Sequence, residues 1–244
     1  MHRFYADPVR SDGDTVLLSP EDARHALTVL RLKPGDHVEI IRDGSRFDAE
    51  ISQAGDRDVT VRIISQLPST EPALSVTLFQ GLPKADKMDM IVQKATELGV
   101  SRIVPVLMNR CVVRPDPKDM ERRLERWRKI AREAGKQSGR CQITEITGPA
   151  RPDRLADVAP LPAVNIVPWE EASGFGPLAF RKCHPELSSL GILIGPEGGI
   201  EKEEIITLQL AGFIPVTLGK RILRTETAGL AAVSAFMSIY GEME

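Results

Sequence analysis

Cysteine is scarce in this 244-residue chain. There are three, at positions 111, 141 and 183, with no CxxC pair. An odd count without paired spacing excludes a disulfide framework. Adjacent Cys183 and His184 lack the spacing of a zinc site. The three are read as reduced thiols of a cytoplasmic protein that holds no metal. No apolar run approaches the roughly twenty residues needed to span a bilayer, and no basic-then-apolar leader is present, so neither membrane insertion nor secretion is expected. The phosphate signatures GxxxxGK[ST] and GxGxxG are missing. Charge of one sign is not in excess: 32 Lys and Arg stand against 34 Asp and Glu. That balance does not announce a nucleic-acid binder. There is no internal repeat and no low-complexity segment.

What is present falls into two parts. In residues 1–70, Ser19-Pro20-Glu21-Asp22 is a helix start, with Ser as N-cap, Pro in the first turn and Asp three residues on. The helix is expected to continue through Ala23 to Arg31 and stop before Lys33-Pro34-Gly35. Short alternating runs follow at 37–41, 46–51 and 59–64, with Arg42-Asp43-Gly44-Ser45 as a hairpin turn. The pattern predicts a small β-barrel with one helix. Leu67 to Pro72 reads as a linker. From 74 to 244 strands alternate with helices: strands at 76–80, 103–107, 163–167, 192–194 and 215–218, and helices at 86–98, 119–137, 201–210 and 225–240. This alternation predicts a mostly parallel sheet with helices on both faces.

Two glycine-rich loops carry the chemistry. The first is Ile194-Gly195-Pro196-Glu197-Gly198-Gly199. The second runs from Leu218 through Gly219, Lys220, Arg221, Ile222, Leu223 and Arg224 to Thr225. Each follows a short apolar run and precedes a helix, which places one ligand site at the C-terminal edge of a parallel sheet. Glu197, Glu201, Glu203 and Glu204 suit a helix N-terminus but would repel a phosphate. A neutral or cationic ligand held by backbone groups is the expectation. Thr225 is read as the N-cap of the last helix, whose apolar residues on nearly all sides predict burial on nearly all sides. Gly229 within it implies close approach of another backbone. The same pattern also suits an ordinary core helix.

The charge is segregated. Residues 1–70 hold nine basic and twelve acidic side chains, whereas residues 84–140 hold fifteen and eight, a net of +7. Arg122, Arg123, Arg126, Arg128, Lys129, Arg132 and Lys136 concentrate the excess on one helix. It can track phosphates, or it can be a solvated face laced by pairs such as Glu125–Lys129.

IGPEGG, followed about twenty residues later by Leu218-Gly219-Lys220-Arg221-Ile222-Leu223-Arg224-Thr225-Glu226-Thr227-Ala228, resembles the RsmE family of bacterial 16S rRNA uridine-N3 methyltransferases, of the SPOUT superfamily. The resemblance extends over essentially the full chain. It implies a trefoil-knotted α/β domain (74–244) behind a PUA-like β-barrel that helps to recognise RNA (1–70), with S-adenosylmethionine bound in the knot. It also implies a homodimer, and 16S rRNA as substrate, within the 30S subunit. Backbone of Val167, Pro168, Ile194, Gly195, Gly199, Leu218, Gly219, Ile222 and Leu223 would hold the cofactor. Arg224 would stabilise negative charge on the base, and Glu197 or Glu226 could take its proton or instead brace the loops. Arg3, His25, Arg31, Lys84, Arg132 and Arg140 would meet RNA. The family pattern Glu-Gln-Ser-Gly-Arg is broken by Lys136, which stands where the Glu is expected. The competing readings are a non-catalytic RNA-binding assembly factor and an α/β enzyme acting on a nucleotide.

Overall fold

The computed structural model describes residues 2–6 and 10–244. It resolves into two compact units, Met1–Glu71 with Gly135–Gln142, and Pro72–Ala134 with Ile143–Glu244.

The first unit contains β1 (His2–Tyr5), β2 (Ser11–Asp12), β3 (Thr15–Leu17), α1 (Pro20–Arg24), β4 (His37–Arg42), β5 (Ser45–Ala54) and β6 (Val59–Leu67). One six-stranded sheet runs in the order β1-β4-β5-β6-β3-β2. Its inner face buries Phe4, Val16, Val38, Ile40, Ile51 and Val61. Register shifts between Asp48 and Ala49 and between Ile51 and Gln53 curl it, because a bulge adds a residue on one strand and sharpens the twist. The hairpin forms where the turn chemistry put it: Arg42 pairs Ser45, and Asp43 and Gly44 have φ of 51° and 72°, as a type I′ turn requires. Ser19 caps α1 by accepting from the Asp22 N–H at 3.1 Å. The expected helix to Arg31 does not hold its pitch. It widens into a π-helical turn over His25–Val29 and ends with Arg31 at φ 55°.

The segment 135–142 packs within this unit. Lys136 donates to Asp22 at 2.8 Å, so the departure from the family pattern has an acidic partner.

The second unit contains β7 (Ser75–Gly81), α2 (Lys87–Glu97), β8 (Arg102–Val106), α3 (Pro117–Ser138, its last turn counted with the first unit), β9 (Glu145–Ile146), β10 (Val164–Pro168), α4 (Pro177–Cys183), β11 (Ser189–Ile194), α5 (Lys202–Leu210), β12 (Phe213–Val216) and α6 (Thr225–Ile239). The sheet order is β12-β10-β11-β7-β8-β9, and every described pairing in it is parallel. Central β7 and β11 are buried without alternation after their first residue, as strands covered on both faces are. Gly81 ends β7 where the first glycine loop crosses it: a Cβ there would sit 2.6 Å from the Pro196 nitrogen.

Helix α6 packs on α2, α4, β7 and β11, with Phe180 and Phe236 edge to face at 5.2 Å. It is not buried all round, however. Thr225, Gly229, Ala232, Val233, Phe236 and Met237 are buried, while Thr227 and Ser238 are exposed. Gly229 is approached by side chains, with Gln80 Oε1 at 3.2 Å from a built Cβ, rather than by the backbone expected. Past α6, the Glu242 carboxylate accepts the N–H groups of Ala73 and Leu74, each at 2.9 Å.

Candidate active site

The carboxyl ends of β10, β11 and β12 lie side by side, since β11 and β12 both pair with β10. The loops that leave them enclose a cavity of about 530 Å³. Of the positions expected from sequence, Pro168, Gly195, Gly199, Leu218, Gly219, Ile222 and Leu223 line it; Val167 and Ile194 are buried just behind. Sequence reasoning missed the stretch Trp169 to Gly174, which supplies a full wall after β10. Its signal was the Ser173-Gly174 turn, where Gly174 has φ +75°.

The second loop is open toward the cavity. Gly219 takes φ +104°, a conformation that costs other residues strain, and donates to Thr217 Oγ1 at 3.1 Å. Residues 220–223 make no hydrogen bond to any described residue. Backbone N–H and C=O groups seldom go unpaired when covered, so this segment presents a row of donors and acceptors suited to a small polar ligand. Ile222 is 85% exposed.

Thr225 does not cap α6. Arg224 occupies the N-cap position, with no side-chain cap. The Thr225 hydroxyl instead donates to the Gly195 carbonyl at 2.7 Å and accepts from Gln80 Nε2 at 2.9 Å. The exposed Arg224 guanidinium has no hydrogen bond or ion pair among the described residues, and its charge is felt by Glu226.

The two loop carboxylates are committed. Lys87 Nζ lies 3.1 Å from Glu197 Oε1 and 3.0 Å from Glu226 Oε2. Partial burial would raise the Glu197 carboxyl, but its own backbone N–H, Lys87 and the Lys84 N–H outweigh burial and hold it below the usual range. The backbone N–H of Glu226 lowers its carboxyl most; burial opposes this, and Lys87 adds to the lowering so that the net direction is down. Both therefore brace the loops through Lys87. The acidic residues expected to repel a phosphate do not face the cavity: Glu197, Glu201, Glu203 and Glu204 are not among its lining residues, whose acidic member is Glu170. Glu201 and Glu204 form a capping box at the start of α5.

The positions expected at RNA divide in two. Arg3 bonds Glu39 at 2.8 Å and the Lys136 carbonyl at 3.0 Å. Arg140, 4% exposed, pairs with Glu71 at 2.7 Å. Their guanidinium groups are used inside the first unit. His25, Arg31, Lys84 and Arg132 are exposed, and none has a side-chain hydrogen bond or ion pair among the described residues. On α3, Arg122 and Arg123 pair with Asp119, Arg126 with Asp89 and Arg128 with Glu121. The pair Glu125–Lys129 does not form, which leaves Lys129 and Arg132 as uncompensated cations. Among the described residues, no group of His, Cys, Asp and Glu could hold a metal ion, and no helix is long and apolar enough to cross a membrane.

An RNA methyltransferase domain family matches residues 70–237, and an RNA methyltransferase PUA domain family matches 18–64. The chain is 32% identical to the Bacillus subtilis ribosomal RNA small subunit methyltransferase E, over 96% of this chain and 95% of that one. It is 31% identical to the Aquifex aeolicus protein of that name, over 98% and 100%. The crystal structure of ribosomal RNA small subunit methyltransferase E from Neisseria gonorrhoeae, bound to S-adenosyl methionine, superposes with a TM-score of 0.85 at 33% identity, covering 100% of both chains. The SPOUT-type α/β unit and the PUA-like sheet, joined in this order and matched over nearly their whole length, show that the chain belongs to the ribosomal RNA small subunit methyltransferase E family.

Proposed function

We propose that this protein transfers a methyl group from S-adenosylmethionine to N3 of a uridine in 16S rRNA, acting in the cytoplasm as a homodimer on the 30S subunit. In this reading residues 1–70 recognise RNA and residues 74–244, knotted around the cavity, carry the transfer. The observation that carries it is the cavity at the three strand ends, with unbonded backbone at 220–223 on one side and the unpaired Arg224 beside it. The volume and the mixed apolar and backbone lining suit a ligand of this size. The cofactor bound by the Neisseria relative supports the same choice.

Bound there, S-adenosylmethionine supplies an electrophilic methyl group on a cationic sulfur. Backbone of Gly195, Gly199, Leu218, Gly219, Ile222 and Leu223 would hold it, and Glu170 would offer a carboxylate to its cationic part. Uridine N3 carries a proton and has no free lone pair until that proton passes to solvent water. Arg224 would stabilise the negative charge that then spreads over the base oxygens. Glu197 and Glu226, paired with Lys87, hold the loops in place. Exposed Arg31, Lys84, Lys129 and Arg132 would meet phosphates, whose contacts position the RNA without reading its sequence.

The test is direct. Small subunits from cells lacking this protein are incubated with it and S-adenosylmethionine, the RNA is digested to nucleosides, and 3-methyluridine is sought by mass spectrometry. Its appearance is expected. A different methylated nucleoside would retain the methyltransferase and reject the uridine-N3 target.

A further inference from the structure

Lys87 opens α2, far in sequence from both glycine loops, yet its ammonium joins them. Glu197 lies between Pro196 and Gly198 of the first loop, and Glu226 lies in the first turn of α6, two residues after Arg224. The three side chains are 16–25% exposed, sheltered enough for ion pairing to matter more than at an open surface. Glu197 also accepts the Lys84 N–H, at 3.2 Å, so the β7–α2 connection, the first loop and the start of α6 converge on one cation.

This arrangement has two consequences for Arg224. Thr225 is tied to Gly195 and Glu226 is tied to Lys87, so the two residues following Arg224 are both anchored. A helix start held at one point can pivot, whereas two points fix the direction in which Arg224 leaves the backbone. The second consequence is electrostatic. Glu226 is within reach of the charge of Arg224. With Lys87 absent, Arg224 is the cation left to pair with Glu226, and pairing would draw its guanidinium away from a substrate. With Lys87 present, Glu226 is already satisfied.

We infer that Lys87 is a positioning residue for methyl transfer: it clamps the first glycine loop to the start of α6 and, by occupying Glu226, keeps Arg224 free for the base. The inference rests on the reading above in which Arg224 acts on the uridine. Lys87 itself need not touch cofactor or RNA.

Two readouts test it. In the cofactor-free protein, hydrogen exchange at 195–200 and 224–228 should be faster in Lys87→Met than in wild type and unchanged in Lys87→Arg. In single-turnover methylation of small subunits at saturating S-adenosylmethionine, Lys87→Met should be at least tenfold slower while its cofactor Kd moves less than threefold. Adding Glu226→Gln to Lys87→Met should recover much of that rate, because it removes the carboxylate that captures Arg224. In the double variant exchange should stay fast while the rate recovers, whereas a pair that merely supports the fold would recover both together or neither. If Lys87→Met fails to fold, Lys87→Gln keeps the stem and a donor without the charge. Exchange and rate within twofold of wild type would overturn the clamp, and a double variant no faster than the single would overturn the freeing of Arg224. If the wild-type protein methylates no RNA, the functional reading falls, and the exchange experiment still decides the clamp.

Discussion

The hydroxyl of Thr225 donates to the carbonyl of Gly195 at 2.7 Å. Thirty residues apart in sequence, they pin the first turn of the last helix to the first glycine loop. The same hydroxyl accepts from Gln80 at 2.9 Å, so one 5%-exposed side chain ties three segments at the base of the cavity. Thr225→Val keeps the shape and leaves Gln80 Nε2 and the Gly195 carbonyl without this partner. An unsatisfied buried polar group costs about 1–3 kcal/mol. Urea unfolding should show a loss of that order, and Thr225→Ser should recover most of it.

Gly219 has φ +104°, and a Cβ built on it would meet nothing within 4 Å. The constraint is therefore backbone conformation rather than crowding. Gly219→Val should cost on the order of 1–3 kcal/mol of strain, relieved by moving the exposed loop. Calorimetric titration should show loss of S-adenosylmethionine binding, with an unaltered circular dichroism spectrum. Unchanged affinity would remove the second loop from the site.

Arg224→Ala should leave cofactor affinity within a few-fold of wild type and cut single-turnover methylation by roughly 10²–10³, the range for losing a preorganised charge-stabilising group. Lys in its place keeps a charge and should lose less. Preserved turnover in the Ala variant would exclude the charge-stabilising role.

The carboxyls of Glu197 and Glu226 are lowered from 4.5 and the Lys87 ammonium is raised from 10.5. Carboxyls lowered in the folded state contribute stability that is complete above about pH 4.5 and fades as pH falls through their folded values. A raised lysine contributes fully below about pH 10.5 and fades as pH rises past its folded value. The ion pairs are therefore whole between these limits. Thermal melting of wild type and Glu226→Gln should differ at neutral pH and converge in acid below 4.5. A constant gap down to strong acid would show that Glu226 does not act through its charge.

Lys129 and Arg132 are unpaired cations of α3 among the described residues. Replacing either with Ala should weaken rRNA binding uniformly across sequences and reduce the slope of log affinity against log salt by about 1. Arg122→Ala, which removes a cation already paired with Asp119, should change the slope less.

Periodicity located the long elements because each buries one face or both. Strand alternation at 37–41 and 59–64 became β4 and β6, and the helical stretch at 119–137 became α3 with ends shifted by one or two residues. Chain-local signals also sufficed for the Asp43-Gly44 turn and the Ser19 cap. The misses share a cause. The Thr225 hydroxyl was read as a local cap, but a carbonyl thirty residues upstream competes for it. Glu197 and Glu226 were legible as loop carboxylates, whereas the cation that neutralises them sits more than a hundred residues before either. Arg3 and Arg140 looked available because Glu39 and Glu71 are distant in sequence. The wall from Trp169 to Gly174 has no apolar period and only one turn signal. Local chemistry was readable; the partners that tertiary structure assigns were not.

The Glu242 carboxylate on the Ala73 and Leu74 amides brings the exit of the α/β unit back to its entrance. A segment whose two ends meet at one point is closed on itself: fraying of the chain after α6 has to break the same contacts that hold the residues entering β7, so the two ends loosen together or not at all.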